Sequence, residues 1–278
     1  MAGNSPAFPE CGRGGLRSEK LRRLRRIVVV VLATLGTIFI GLQWVAPVVL
    51  SIETAREPPR YARLVPVELR DSTISQAPGR KLTYFGYEFE IPWNDLDETK
   101  TKLSRDGVVL TFHSGLQVMV GILPAKFWVN GLASGWHASA ASLELTFGAE
   151  TMRSDYNFIK MLYEFTPEQM HRWALSPRVH YRESMLLTFK SAALLPPVEK
   201  GFFNIHNQSY KGFQQGDPTN TQLINANLYS DEGSISFAIF RSDHRNLVGV
   251  SQAEINRIVQ SLRKPAAGES VVSTAAVR

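Results

Sequence analysis

Gln222 to Phe240 reads QLINANLYSDEGSISFAIF. Two strand-forming runs, Gln222–Tyr229 and Ser234–Phe240, flank Ser230-Asp231-Glu232-Gly233, which has the composition of a type I turn. An antiparallel hairpin is the direct reading. Upstream, Gly201–His206 and Tyr210–Gln214 are further strands. Downstream, Ser251-Gln252-Ala253-Glu254 is a capping box, in which the serine and the glutamate satisfy each other's free backbone N–H. Ile255, Ile258, Val259 and Leu262 then recur at i, i+3, i+4 and i+7, a single apolar stripe on a helix. The chain therefore closes with a sheet and one helix to cover it.

The same logic applies towards the N-terminus. In Leu82–Ile91, Phe85, Tyr87, Phe89 and Ile91 share one face and Glu88 and Glu90 the other, as in a half-buried strand that Pro92 ends. Asn94–Leu103 is polar and reads as a short helix capped by Asn94. Val108–His113 and Leu116–Ile122 form a hairpin about Ser114-Gly115. The middle is helical. Ser139–Thr146 fits helix or strand, Ser154–Glu164 fits a helix, and Thr166-Pro167-Glu168-Gln169 is a helix start. Ser176-Pro177 opens a further helix with Met185, Leu186, Phe189 and Leu194 broadly on one side, ended by Pro196-Pro197. Strands, helices, strands and a last helix specify an α+β fold over residues 81–263, a mainly antiparallel sheet packed by helices.

Ahead of this domain, Ile27–Leu50 (IVVVVLATLGTIFIGLQWVAPVVL) carries no charged side chain. At about 1.5 Å per residue, this length crosses a hydrocarbon core of about 30 Å as one transmembrane helix in contact with membrane lipid. Residues 1–26 hold seven basic and two acidic side chains, which keeps the N-terminus in the cytoplasm. Residues 51–80, with Pro58-Pro59, Pro66 and Pro78-Gly79, read as an extended stalk, and 264–278 as a loose tail. The expectation is a single-pass inner-membrane protein whose domain lies on the periplasmic or extracytoplasmic side.

The net charge of +6 then loses its suggestion of nucleic acid. The other 252 residues carry 24 basic and 23 acidic groups, so the excess belongs to the tail and not to the folded part. Cys11, the single cysteine, lies in that tail, so no intrachain disulfide forms and thiolate zinc sites are excluded from the domain.

Local catalytic signatures are absent. The six histidines form no H-E-x-x-H pair, and there is no G-x-S-x-G elbow, no P-loop and no G-x-G-x-x-G. His180 and Glu183, three apart, make at most a weak metal pair. Asp95, Asp97 and Glu98 lack the remainder of a calcium loop and suit the first turn of a helix. No cofactor or metal is expected. The segment that suggests a ligand contact is Tyr210–Pro218, with Tyr210, Lys211, Phe213, Gln214 and Asp217 as candidate binding residues. The alternative there is a strand with a bulge at Gly212 followed by a Gly-Asp-Pro turn. Asn207-Gln208-Ser209 also matches the N-glycosylation triplet.

Tyr84–Trp93 (YFGYEFEIPW) and the ending SISFAIF…SQAEINRIVQSLR resemble the two ends of PsbP- and Mog1-type domains, while residues 150–195 have no counterpart in them. That resemblance implies an α/β/α sandwich acting as a binding or accessory module. The whole chain resembles single-span bacterial envelope proteins. Two functions follow as expectations: a non-catalytic envelope module that binds an envelope protein, peptide or small ligand, or an envelope hydrolase whose active site is assembled from distant residues.

Overall fold

The computed structural model describes residues 62–69, 72–169, 183, 186–187, 189–190, 201–243 and 246–265. The expected transmembrane run Ile27–Leu50, the basic tail with Cys11, His180 and the Ser176-Pro177 helix start lie outside them. All the described residues except Glu183 belong to one unit, drawn from Thr54–Met170 and Met185–Arg278. Among the described residues no helix is long and apolar enough to cross a membrane.

The unit begins with β1 (Val67–Glu68) and a hairpin of β2 (Arg80–Tyr84) and β3 (Tyr87–Ile91). Next come β4 (Lys102–Leu103), β5 (Gly107–Thr111) and β6 (Leu116–Pro124). Helices α1 (Phe127–Gly135), α2 (Ala140–Phe147), α3 (Ala149–Met152) and α4 (Asp155–Glu164) follow, and Glu183, Leu186, Leu187, Phe189 and Lys190 are helical as well. The chain returns to strands with β7 (Phe202–His206), β8 (Lys211–Gln215), β9 (Leu223–Ser230) and β10 (Gly233–Arg241), and closes with α5 (Gln252–Ser261). Eight strands form one sheet in the order β1-β7-β8-β9-β10-β6-β5-β4, antiparallel except for β1 beside β7. The fold is α+β, a large and mostly antiparallel sheet packed by helices.

Both faces of the central strands are covered. On one face, the β2–β3 hairpin and α5 pack Phe89, Ile91, Ile255, Ile258 and Val259 over Val118, Val120, Ile224, Leu228, Phe237 and Ile239. On the other, α1 to α4 bring Leu132, Leu143, Phe158, Ile159 and Leu162 onto Phe202, Phe213 and Tyr229. The capping box of α5 is formed as its sequence dictates. Ser251 N–H donates to Glu254 Oε2 at 2.7 Å and Glu254 N–H donates to Ser251 Oγ at 3.3 Å. The second oxygen of Glu254 accepts the Trp93 indole N–H at 2.9 Å, which ties the helix start to the end of the β2–β3 hairpin.

Two local expectations change, an ambiguous stretch is decided and one helix appears where none was expected. Leu82–Ile91 is not one strand: Phe85 and Gly86 both take positive φ, 55° and 79°, and reverse the chain, so that Leu82 pairs with Phe89. A two-residue turn of that hand matches strand twist, and the glycine removes the usual penalty of positive φ. Asn94–Leu103 holds a single 3-10 turn, Glu98–Lys100, capped by Asp97 and followed by β4. Ser139 caps a helix, deciding the ambiguous stretch. Phe127–Gly135 is a helix that carries no cap signal in the sequence, since Lys126 precedes it in a left-handed conformation without a side-chain cap.

The described part of the 51–80 segment does not stand away from the domain. Val67 and Glu68 pair with Phe203 and Asn204, Ser75 N–H donates to Ala253 O at 3.0 Å, and Asn256 Nδ2 donates to Thr73 O at 2.9 Å. Arg257 bridges Ser75 O and the Glu90 carboxylate. Leu64 N–H donates to Tyr163 O at 3.0 Å. Lys190, fully buried, donates to Ala62 O at 2.7 Å, Tyr163 O at 2.8 Å and Phe165 O at 2.6 Å. One ammonium group thus uses its three protons on Ala62 O and on two carbonyls at the end of α4, of which Tyr163 O also accepts from Leu64 N–H. Burial lowers its pKa to about 8.

Lys190→Met should lower stability by about 2–4 kcal/mol, because Ala62 O and Phe165 O lose the ammonium donor and Tyr163 O loses one of its two donors, while the cost of burying the charge is removed. The thermal unfolding midpoint of the two proteins measures this.

Candidate functional site

A cleft of about 400 Å³ opens at one end of the sheet. Three separate segments converge on it. The first is α3 and the start of α4, contributing Glu150, Arg153, Ser154, Tyr156 and Asn157. The second is the β7–β8 turn, Asn207 to Lys211, and the third is the end of β9 with its turn, Tyr229 to Asp231. Leu64 is held at the opposite end of α4, a helix of ten residues or about 15 Å.

The walls are fixed by groups already committed to the fold. Ser154 Oγ accepts from Asn157 N–H at 3.2 Å, capping α4. Asn157 Nδ2 donates to Glu150 O at 2.8 Å and to Glu150 Oε1 at 3.0 Å, which fastens α3 to α4. Across the cleft, Asn207 Oδ1 accepts from the N–H groups of Ser209 and Tyr210 at 2.9 and 2.8 Å. Its Nδ2 donates to Val259 O and Leu262 O at 2.7 and 2.9 Å, closing the end of α5. Both amide protons of the N-glycosylation triplet are therefore used internally. The ring of Tyr156 stacks on buried Phe213 at 5.0 Å with an interplanar angle of 5°.

The five residues singled out in the sequence are dispersed. Tyr210 and Lys211 line the cleft. Tyr210 is buried against Tyr87, and burial raises its phenol to about 12. Phe213 lies in the core between Tyr156 and Phe202. Gln214 is buried on the opposite sheet face, where Nε2 donates to Gln252 Oε1 at 2.8 Å. Asp217 closes its turn by accepting from Thr219 N–H at 2.9 Å and Thr219 Oγ1 at 2.7 Å. Strand alternation separates them, since residues 211, 213 and 215 point to one face and 212 and 214 to the other. The ladder is continuous through Gly212, paired with Leu228, so there is no bulge. Glycine is required there for another reason: a Cβ would stand 1.9 Å from Asn227 O.

Other titratable groups lie away from this end. Asp97 accepts from Thr99 N–H at 3.1 Å and pairs with Lys100 at 3.0 Å. The Thr99 hydroxyl bond and then Lys100 hold its carboxyl down at about 2. His113 Nδ1 is 3.7 Å from the same carboxylate, and Asp95 accepts from Ser114 N–H at 2.8 Å. These carboxylates serve backbone groups. Among the described residues no three His, Cys, Asp or Glu side chains come together as a metal set. A buried polar chain also went unsignalled in the sequence. On the face covered by α1 to α4, Gln215 donates to Tyr163 Oη at 2.8 Å, beside Asn225, whose buried Nδ2 has no hydrogen-bond partner among the described residues.

Two substitutions test these assignments. Gly212→Ala should cost at least about 2 kcal/mol, read from the unfolding midpoint, because backbone and not a pliable side chain occupies the space. Asp97→Asn should destabilise at neutral pH. The carboxylate's contribution is complete above about pH 4 and is lost as pH falls through about 2, so the two proteins should converge in acid unfolding curves near pH 2. Compared with known proteins, the chain matches no protein family, no curated protein and no solved structure.

Proposed function

We propose that this protein is a membrane-anchored, extracytoplasmic binding module of the cell envelope, held by Ile27–Leu50 with its N-terminus in the cytoplasm. The observation that carries the binding reading is the cleft of about 400 Å³, in which three distant segments present polar side chains around a fixed aromatic ring. Gln208 and Lys211 on its rim are exposed, and among the described residues their side chains make no hydrogen bond that the fold requires. The uncharged 24-residue run, the basic flank before it and the near balance of charge after it support the anchor. A sheet covered on both faces supports the resemblance to PsbP- and Mog1-type binding and accessory domains.

Two measurements test this reading. The full chain should stay with the membrane in alkaline carbonate and be digested by protease added outside the cytoplasmic membrane, while deletion of 27–50 should release it. Protection of the domain from that protease would reverse the topology. Isolation of the detergent-solubilised chain from native membranes should co-purify a protein or saccharide detectable by mass spectrometry; repeated recovery of the chain alone counts against a binding role.

A further inference from the structure

We propose that the cleft binds a neutral, hydroxyl-rich ligand, a short carbohydrate segment; this rests on the reading of the domain as a binding module. Charge is the first argument. Arg153 and Lys211 are matched by Glu150 and Asp231, so the cleft presents no net field to draw a phosphate, a polyanion or a polycation. Hydrogen-bonding capacity is the second. Gln208 offers a planar amide with two donors and an acceptor, and Asn157, whose Nδ2 is spent on Glu150, keeps its Oδ1 as an acceptor. Planar groups of this kind match the adjacent hydroxyls of a sugar, each of which donates and accepts.

The aromatic wall is the third argument. Tyr156 is half-buried, with one ring face against Phe213, which is itself fully buried. The ring is held in place by the core, and Tyr156 lines the cleft. A rigid aromatic surface of that kind suits the C–H face of a pyranose, with apolar contact on one side and hydroxyls left to the polar rim. A peptide is the weaker fit. Extended peptides gain their affinity by adding to a free strand edge. The sheet edges are β1 and β4, whereas the strands at the cleft, β8 and β9, are interior and already paired on both sides.

The test uses the full chain in detergent, titrated with cellotriose, chitotriose, tri-alanine and inorganic phosphate, with binding read by calorimetry and saturation-transfer NMR. One of the two trisaccharides should bind, with saturation transferred to its ring C–H protons. Gln208→Ala should weaken it about tenfold, the loss of one to two hydrogen bonds. Tyr156→Phe should bind as the parent does and Tyr156→Ala should not. Since Tyr156→Ala also opens the core, Gln208→Trp, at an exposed rim position, supplies an independent block that should abolish binding without moving the unfolding midpoint. Tighter binding of phosphate or tri-alanine, blocked by Gln208→Trp, overturns the carbohydrate assignment and leaves the binding module standing. Trisaccharide binding indifferent to Gln208→Trp, or no binding of either trisaccharide, overturns the assignment as well. The co-purification from native membranes decides separately whether the domain binds anything.

Discussion

Every other feature of the fold follows from the burial of β9 on both faces. Ile224, Ala226 and Leu228 point into one core and Asn225 and Tyr229 into the other, while β8 and β10 take up the backbone hydrogen bonds on either side. A strand so placed cannot be left half-covered, because its apolar side chains on either face would meet water. The chain supplies the two covers from different places. The hairpin β2–β3 and α5, from the two ends of the domain, close one face, and the α1–α4 block from the middle closes the other.

Covering a sheet with short helices leaves many helix ends to satisfy, and the protein meets this with single polar side chains acting over long sequence distances. Asp155, at the start of α4, accepts from the N–H groups of Trp128 and Val129 at the start of α1, both at 3.1 Å. Burial raises the pKa of that carboxyl, and the backbone donors oppose the rise. Asn207 closes the end of α5, and Lys190 closes the end of α4 while also holding residue 62. An isolated buried charge is costly, but a charge whose donors are all used is tolerated and fixes one arrangement. The consequence for the 51–80 segment is direct. Its described residues are held by β7, α4 and α5.

The cleft is a by-product of the same arrangement. Where α3 and α4 begin, the helices that cover the second face leave a gap against the β7–β8 and β9–β10 turns. Caps and turn hydrogen bonds hold both sides of that gap, so it is formed before any ligand arrives, which lowers the ordering cost of binding. Lys211 faces it because it is the first residue of its strand. Phe213, two residues on, points to the same side of the sheet but lies under α4, where it becomes the floor on which Tyr156 rests.

Much of this architecture is local and was readable from residue order. The hairpin at Ser114-Gly115, the turn at Ser230–Gly233 and the box at Ser251–Glu254 depend on neighbours within four positions, so the sequence specifies them without reference to the fold. The reversal at Phe85-Gly86 was hidden because period-two hydrophobicity continues through a two-residue turn. The helix at Phe127–Gly135 was hidden because it is capped by Asp155, 26 to 27 residues away. The candidate site behaved in the same way. Tyr210 and Lys211 were legible as a polar and aromatic stretch beside a turn, but the opposite wall comes from α3 and α4, and only tertiary packing brings it there. The burial of Lys190 had no signal at all, since a lysine in a helix is ordinarily solvated, and its partners at 62, 163 and 165 become neighbours only when the helices have closed over the sheet.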